Sequence, residues 1–190
     1  MKKKYTIKEL LDRIDDLEKI YKEFKNYFTE DDIKYAIDKG LELYSLYEYL
    51  NEKFDGELIR YAIDKDNKYL YALYEYAKDK FNDELIKYAI NKKADLSYLY
   101  FYIRDKFDEE LIKYAIDKRA NLVDLYKYVN KKFDDELIKY AIDKNADLEN
   151  LYYYLDYKFN DELIKYAIDK KADLKNLYKY IGYRFNNELK

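Results

Sequence analysis

The sequence predicts an all-α fold, an αα-hairpin solenoid built from repeats of about 26 residues. Three observations support this prediction. Phenylalanine recurs at a nearly constant spacing, apolar residues within each repeat follow the helical period, and a capping residue stands where each first helix should begin. No segment sustains the alternation of a β-strand. A fixed period of this kind is typical of architectures in which each repeat buries its apolar face against its neighbours.

Seven phenylalanines mark the starts of the repeats, at spacings of 26, 27, 26, 26, 26 and 26 residues. They are Phe28, Phe54, Phe81, Phe107, Phe133, Phe159 and Phe185. We predict an N-terminal capping repeat over 1–27, six repeats of 26 or 27 residues over 28–184, and a C-terminal stub over 185–190. The extra residue of the second repeat falls in a loop around 66–68, where an insertion costs little.

The N-terminal capping repeat begins with a capping box formed by Thr6 and Glu9, which predicts a helix start. Its later apolar residues match the stripe of the second helices that follow. They are Leu17, Ile20, Tyr21 and Phe24. The sequence therefore predicts that this repeat also contains two helices.

Each inner repeat is predicted to contain two short helices. In the repeat that begins at Phe133, the first helix has one apolar face, and the second has a stripe at i, i+3, i+4, i+7 and i+11. The face consists of Leu137, Ile138, Ala141 and Ile142, and the stripe of Leu148, Leu151, Tyr152, Leu155 and Phe159. Helices of about ten residues are marginal alone, so we expect stacking between repeats to stabilise them.

The residue after each starting phenylalanine is a good helix N-cap, because its side chain can accept a hydrogen bond from a free helix N–H. These residues are Thr29, Asp55, Asn82, Asp108, Asp134, Asn160 and Asn186. The same role is predicted at the second helices for Asp95, Asn121, Asp147 and Asp173.

Residues 136–148, which read Glu-Leu-Ile-Lys-Tyr-Ala-Ile-Asp-Lys-Asn-Ala-Asp-Leu, resemble the outer helix and exit loop of an ankyrin repeat. The first inner repeat also has a glycine, Gly40, at the helix exit. The Thr-Pro-Leu-His turn of that family has no counterpart, and the period is 26 rather than about 33 residues. The chain is therefore similar to a shortened ankyrin repeat without the β-hairpin. This resemblance implies a protein-binding scaffold without an active site.

Tyrosine makes up 28 of the 190 residues, and 18 of these recur at three positions of the repeat. The first column is Tyr35, Tyr61, Tyr88, Tyr114, Tyr140 and Tyr166. The second column is Tyr47, Tyr74, Tyr100, Tyr126, Tyr152 and Tyr178. The third column is Tyr49, Tyr76, Tyr102, Tyr128, Tyr154 and Tyr180. We predict that these rings pack between repeats, with each hydroxyl reaching a hydrogen-bond partner at the rim.

The alternative function is nucleic-acid binding, in which exposed tyrosines stack on bases and cations contact phosphates. The cations would be those at the centre of each first helix, namely Lys34, Arg60, Lys87, Lys113, Lys139 and Lys165. A carboxylate or amide follows each of them four residues later, at Asp38, Asp64, Asn91, Asp117, Asp143 and Asp169. We therefore expect a self-neutralised face, which disfavours binding to a polyanion.

Positions that differ between repeats predict an exposed surface on the second helices. Several of them carry large aromatic residues, the usual anchors of protein interfaces. These candidate partner-binding residues are Tyr44, Tyr71, Tyr98, Phe101, Tyr153 and Tyr157. The sequence therefore favours a non-catalytic protein–protein interaction module.

Composition argues against catalysis, because the chain contains no cysteine, histidine or glycine-rich loop. We predict no cofactor and no metal site. The 37 basic and 40 acidic residues nearly cancel, and no apolar run is long enough for a bilayer. The expected location is the cytoplasm, or a host cytoplasm. The Lys-, Asn-, Ile- and Tyr-rich composition suggests a bacterial, phage or viral binder that inhibits a host or defence protein.

Overall fold

The computed structural model describes residues 5–65 and 68–185, and within these ranges every regular element is a helix. The chain divides into two compact units, unit 1 over 1–103 and unit 2 over 104–190. The predicted loop insertion at 66–67 and the stub after Phe185, including the cap at Asn186, lie outside the described residues. Among the described residues, no helix has the length and apolar character needed to cross a membrane.

Unit 1 contains four pairs of helices. They are α1 (Ile7–Leu11) and α2 (Leu17–Phe24), α3 (Glu30–Lys39) and α4 (Leu43–Leu50), α5 (Gly56–Asp64) and α6 (Leu70–Tyr76), and α7 (Asp83–Lys92) and α8 (Leu96–Ile103). Consecutive first helices contact one another, as do consecutive second helices, and the two helices of each pair also touch. This is the packing expected of stacked helical hairpins.

Unit 2 contains three pairs with the same packing. They are α9 (Glu109–Asp117) and α10 (Leu122–Tyr128), α11 (Asp135–Asp143) and α12 (Leu148–Leu155), and α13 (Asp161–Asp169) and α14 (Leu174–Ile181). Helix α11 lies between α9 and α13, and α12 lies between α10 and α14. The all-α prediction and the sequential packing of hairpins are confirmed for each unit.

Every second helix ends in a three-residue 3₁₀ turn, which the apolar stripe did not predict. These turns are Lys25–Tyr27, Asn51–Lys53, Lys78–Lys80, Arg104–Lys106, Asn130–Lys132, Asp156–Lys158 and Gly182–Arg184. The following phenylalanine is extended rather than helical, as at Phe159 with φ −72° and ψ 109°. Its ring is nevertheless buried. The tightened turn therefore ends the helix and directs the phenylalanine into the core without proline or glycine.

First-helix capping follows the sequence prediction over the described residues. The side chains of Thr29, Asp55, Asn82, Asp108, Asp134 and Asn160 each accept a backbone N–H from the first turn. The predicted capping box at Thr6 and Glu9 is also present. These caps explain why α-helix begins one residue after each of these side chains.

The caps predicted for the second helices differ from the expectation. Asn121 and Asp173 cap with their side chains, whereas Asp147 makes no capping hydrogen bond. These three residues, together with Glu42 and Asp95, have φ between 36° and 46°. The position demands left-handed backbone, which Asn and Asp tolerate better than most residues.

Candidate interaction surfaces

Tyrosines of the second column form the centre of the packing in both units. Tyr47, Tyr74, Tyr100, Tyr126 and Tyr152 are at most 1% exposed. Each ring that the structure pairs with the next starting phenylalanine lies near it, for example Tyr126 and Phe133 with centroids 5.5 Å apart and nearly perpendicular planes. Tyr178, at 51% exposure, differs from the rest of its column.

The hydroxyls of this column reach a main-chain carbonyl in the exit loop of the next first helix. Tyr152 donates to the Ala172 carbonyl at 2.6 Å, and Tyr126 to that of Ala146 at 2.5 Å. In unit 1, Tyr74 donates to the Ala94 carbonyl, and Tyr21 of the capping repeat donates in the same way to that of Leu41. Burial raises the pKa of Tyr21, Tyr47, Tyr74, Tyr126 and Tyr152.

Tyr47 is the exception, because its buried hydroxyl has no hydrogen-bond partner among the described residues. The exit loop that would face it is the one that carries the extra residue. The sequence signal for this exception was therefore the single spacing of 27 residues.

Tyrosines of the first column are half-buried, and their hydroxyls are bound by aspartates about 23 residues earlier. Tyr61 donates to Asp38 at 2.7 Å, and Lys65 pairs with the same carboxylate at 2.5 Å while lying 5.0 Å from the Tyr61 ring centre. We name this arrangement the Tyr–Asp–Lys contact. It recurs as Tyr88, Asp64 and Lys92 in unit 1, and as Tyr140, Asp117 and Lys144, then Tyr166, Asp143 and Lys170, in unit 2.

The pairing of the first-helix cations corrects the predicted one. Lys34 pairs with Glu30 on its own helix, and Asp38 pairs with Lys65 of the next repeat. The physical reason is orientation, since an acid four residues before a lysine is favourable in a helix and the reverse order is less so. Lys65, followed by Tyr61, holds the pKa of Asp38 below its usual value. The face is charge-paired as expected, but by different partners.

Third-column tyrosines are half-buried and have mixed partners. Tyr49 donates to Glu18 at 3.0 Å, and Tyr180 donates to Glu149 at 3.0 Å. Tyr76 shares a hydrogen bond with the Tyr44 hydroxyl at 2.5 Å. The ring of Tyr128 lies 4.7 Å from the Lys127 amine, and that of Tyr154 lies 4.8 Å from the Tyr153 ring. This column is therefore partly packing and partly surface.

Three of the candidate partner-binding residues form a row of rings on successive second helices of unit 1. The centroids of Tyr44 and Tyr71 are 6.2 Å apart, and those of Tyr71 and Tyr98 are 5.5 Å apart. Tyr44 is 37% exposed, Tyr98 is 44% exposed, and Tyr71 is half-buried. Helices α4, α6 and α8 thus present one continuous aromatic row.

Four further rings join this row. Tyr76 contacts Tyr44 edge to face at 5.5 Å, Tyr102 stacks on Tyr98 at 6.3 Å, and Phe101, 42% exposed, contacts Tyr102 at 4.9 Å. Tyr69 contacts Tyr71 at 6.3 Å. We name these seven rings the unit 1 aromatic surface; they are Tyr44, Tyr69, Tyr71, Tyr76, Tyr98, Phe101 and Tyr102. Sequence reasoning missed Tyr69 and placed Tyr76 and Tyr102 between repeats, because regular recurrence was the only signal available for them.

In unit 2 the predicted partner-binding residues are exposed but less connected. Tyr153 is 56% exposed and contacts Tyr154 and Tyr180, and Tyr157 is 51% exposed. Unit 2 also has a shallow basic cavity of about 350 Å³, lined by Arg104, Lys127, Lys131 and Lys132 with Asp105, Tyr128, Val129 and Asn130. This cavity was not predicted.

Among the described residues, no group of three or more carboxylates lies close enough together to hold a metal ion. No protein-family model, curated protein or solved structure matches the chain. The similarity to ankyrin repeats therefore stays a prediction from the residues alone.

Proposed function

We propose that this protein is a non-catalytic protein–protein interaction module that binds its partner through the unit 1 aromatic surface. The observation that carries the proposal is the continuity of the seven rings across α4, α6 and α8, with Tyr44, Tyr98 and Phe101 each more than a third exposed. Large connected aromatic patches on a surface are typical of interfaces.

The chemistry of these side chains supports the proposal. Tyrosine supplies a large contact area with few rotatable bonds, so little conformational entropy is lost when a partner orders it. The Tyr44–Tyr76 hydrogen bond and the Tyr98–Tyr102 stack already hold rings of this surface together. A partially preorganised surface of this kind costs less to bind.

The test is a paired substitution, Tyr98→Ser with Phe101→Ser, in the full chain. The wild-type chain is used to capture a partner, which is then identified, purified and titrated against each variant. We expect the double variant to bind at least about tenfold more weakly, as loss of an interface hot spot does. Its melting temperature should change little, because both side chains are largely exposed.

Tyr27→Ser is the matched control, because Tyr27 is 72% exposed and belongs to a different part of unit 1. It should leave partner binding unchanged. Equal binding by the double variant would refute the proposal. A strongly lowered melting temperature would instead assign Tyr98 and Phe101 to the core and remove the surface from consideration.

The finer assignments belong to the same proposal. They are a shortened ankyrin-like repeat of about 26 residues, a cytoplasmic location, the absence of enzymatic activity, and a role as an inhibitory binder. Their support is the recurrence of the same caps, 3₁₀ turns and Tyr–Asp–Lys contacts at the predicted spacing. Fractionation of cells that express the chain would test the location.

A second candidate function, nucleic-acid binding, is favoured by one observation, the basic cavity of unit 2. Lys127 and Lys131 line it, and both lie at positions that vary between repeats. Titration with a labelled single-stranded oligonucleotide at low and high salt tests this function. Affinity that falls steeply with salt, and is lost in Lys127→Glu with Lys131→Glu, would support it. No binding at low salt would reject it.

A further inference from the structure

We propose that the unit 1 aromatic surface recognises the arginine side chains of a basic segment in its protein partner. This inference rests on the proposed function and names the chemistry of the partner. It depends on the carboxylates that accompany the rings, on the way this protein binds its own cations, and on the geometry of the row.

Two glutamates, Glu48 on α4 and Glu75 on α6, lie half-buried beside the rings. Their placement is visible in the tyrosines they affect. The pKa of Tyr102 is raised by burial and then by its hydrogen bond to Glu75. The pKa of Tyr76 is raised by its hydrogen bond to Tyr44, then by burial and by the negative charges of Glu48 and Glu75. Both carboxylates therefore act directly on the aromatic surface.

Neither glutamate forms a salt bridge within the part of the chain that the structure describes. The carboxylates of Asp38 and Asp64 in the same unit, by contrast, are each paired with a lysine. A half-buried carboxylate beside apolar rings gains from a cation more than a fully hydrated one does, because screening is weaker there. The surface is thus electrostatically complementary to a positively charged partner.

The protein itself shows how such a cation is held. In each Tyr–Asp–Lys contact, a lysine lies over a tyrosine ring and pairs with a carboxylate, as Lys65 does with Tyr61 and Asp38. The unit 1 aromatic surface presents the same two groups, a tyrosine ring and a carboxylate. Lys68 lies over Tyr69, but no described lysine or arginine lies over Tyr44, Tyr71 or Tyr98. A cation from the partner would complete the arrangement.

Arginine fits this surface better than lysine does. The rings of Tyr44, Tyr71 and Tyr98 succeed one another at 5.5–6.2 Å and are inclined by only 38–45°. A planar guanidinium can stack on such rings and still donate hydrogen bonds to a carboxylate at its edge, whereas an ammonium is a compact, strongly hydrated charge. Several arginines along one segment would match the row.

The experiment uses the full chain and two labelled probe peptides of equal length. One carries arginine at alternate positions between serines, and the other carries citrulline, the neutral isostere, at the same positions. We expect the arginine peptide to bind at least about tenfold more tightly, because citrulline keeps the shape and loses the charge. The preference should shrink as salt is added.

The variant Glu48→Gln with Glu75→Gln should weaken arginine-peptide binding by about three- to tenfold and leave citrulline-peptide binding unchanged. The matched control, Glu23→Gln with Glu57→Gln, makes the same change in net charge at exposed glutamates on α2 and α5 and should have no effect. Tyr71→Leu with Tyr98→Leu, which keeps apolar area and removes the rings, should also reduce the arginine preference.

Equal affinity for the two peptides, no binding of either at millimolar concentration, or equal effects of the two glutamine pairs would overturn this inference. The proposed function has a separate readout. If Tyr98→Ser with Phe101→Ser still abolishes binding of the captured partner while the peptides show no preference, the surface binds through apolar contact and only the arginine inference fails. If the captured partner ignores that variant, the proposed function fails as well.

Discussion

Single tyrosine residues perform two different tasks in this protein. In the second column the ring is fully buried and the hydroxyl spans to a carbonyl 20 residues later, as in Tyr152 and Ala172. In the first column the ring is half-buried and the hydroxyl binds an aspartate of the preceding repeat, as in Tyr140 and Asp117. An amphipathic side chain can do both, because its body is apolar and its tip is polar.

We expect Tyr152→Phe to lower the free energy of unfolding by about 1 kcal/mol, the typical net value of a buried hydrogen bond. Tyr47→Phe should have almost no effect, because the Tyr47 hydroxyl has no partner among the described residues. Urea unfolding of the two variants and the wild type measures the difference. Equal losses in both variants would show that the hydroxyl–carbonyl bond contributes nothing specific.

A second residue-level prediction concerns two glycines with equal space and different backbone. A Cβ at either Gly40 or Gly182 would meet no atom within 4 Å, but Gly40 has φ +65° and Gly182 has φ −56°. Gly40→Ala should cost about 1 kcal/mol through left-handed strain. Gly182→Ala should be neutral or stabilise by up to about 1 kcal/mol through the unfolded state. Thermal unfolding that ranked the two in the opposite order would contradict this.

At the scale of the element, each helix is short and depends on its ends and its neighbours. First helices have 9 or 10 residues from α3 onward and begin at a side-chain cap. The Tyr–Asp–Lys contacts then join consecutive first helices along their exposed faces, α3 to α5 and α5 to α7 in unit 1, and α9 to α11 and α11 to α13 in unit 2. Such exposed pairs contribute little singly, so their repetition matters more than any one of them.

These contacts predict a loss of stability in acid. Lysine pairing comes first among the causes that lower the pKa of Asp38, Asp64, Asp117 and Asp143 in the folded chain. Their contribution is therefore present above the unfolded pKa of about 4 and is lost as the pH falls through the lowered folded values. Urea midpoints between neutral pH and about pH 3 measure it.

The variant Asp117→Asn with Asp143→Asn should show a shallower decline with acid than the wild type, since two of the four titrating contacts are removed. Asp105→Asn with Asp156→Asn is the matched control outside these contacts, and it should retain the wild-type slope. An unchanged slope in the first variant would show that the contacts do not couple to folding.

Across the whole molecule, buried phenols in both units predict unfolding in alkali. Burial raises the pKa of Tyr74, Tyr126 and Tyr152 above the usual value of about 10. The stability they contribute is complete below the unfolded pKa and falls as the pH rises above it, by about 1.4 kcal/mol per pH unit for each tyrosine.

Tyrosinate absorbance and helical circular dichroism, followed together, measure this effect. We expect the buried fraction of the tyrosines to ionise in the same transition in which helix is lost. Ionisation of every tyrosine near pH 10 with helix retained would contradict the burial of the second column.

The sequence by itself determined the all-helical class, the pairing of short helices and the first-helix caps. These features depend on local propensity, on hydrogen bonds to side chains within three residues, and on a period repeated along the chain. The 3₁₀ turns before each phenylalanine escaped it, because Phe159 continues the helical apolar period although its backbone is extended.

Only the tertiary structure decided which aromatic residues are core and which are surface. Tyr74 and Tyr76 are two residues apart on α6, yet Tyr74 is buried and Tyr76 joins the unit 1 aromatic surface through Tyr44. Asp38 is paired with a lysine of the next repeat rather than with Lys34. The physical reason is that burial and charge pairing are set by the groups that neighbouring helices place opposite a side chain, and residues 20–32 positions apart supply those groups here.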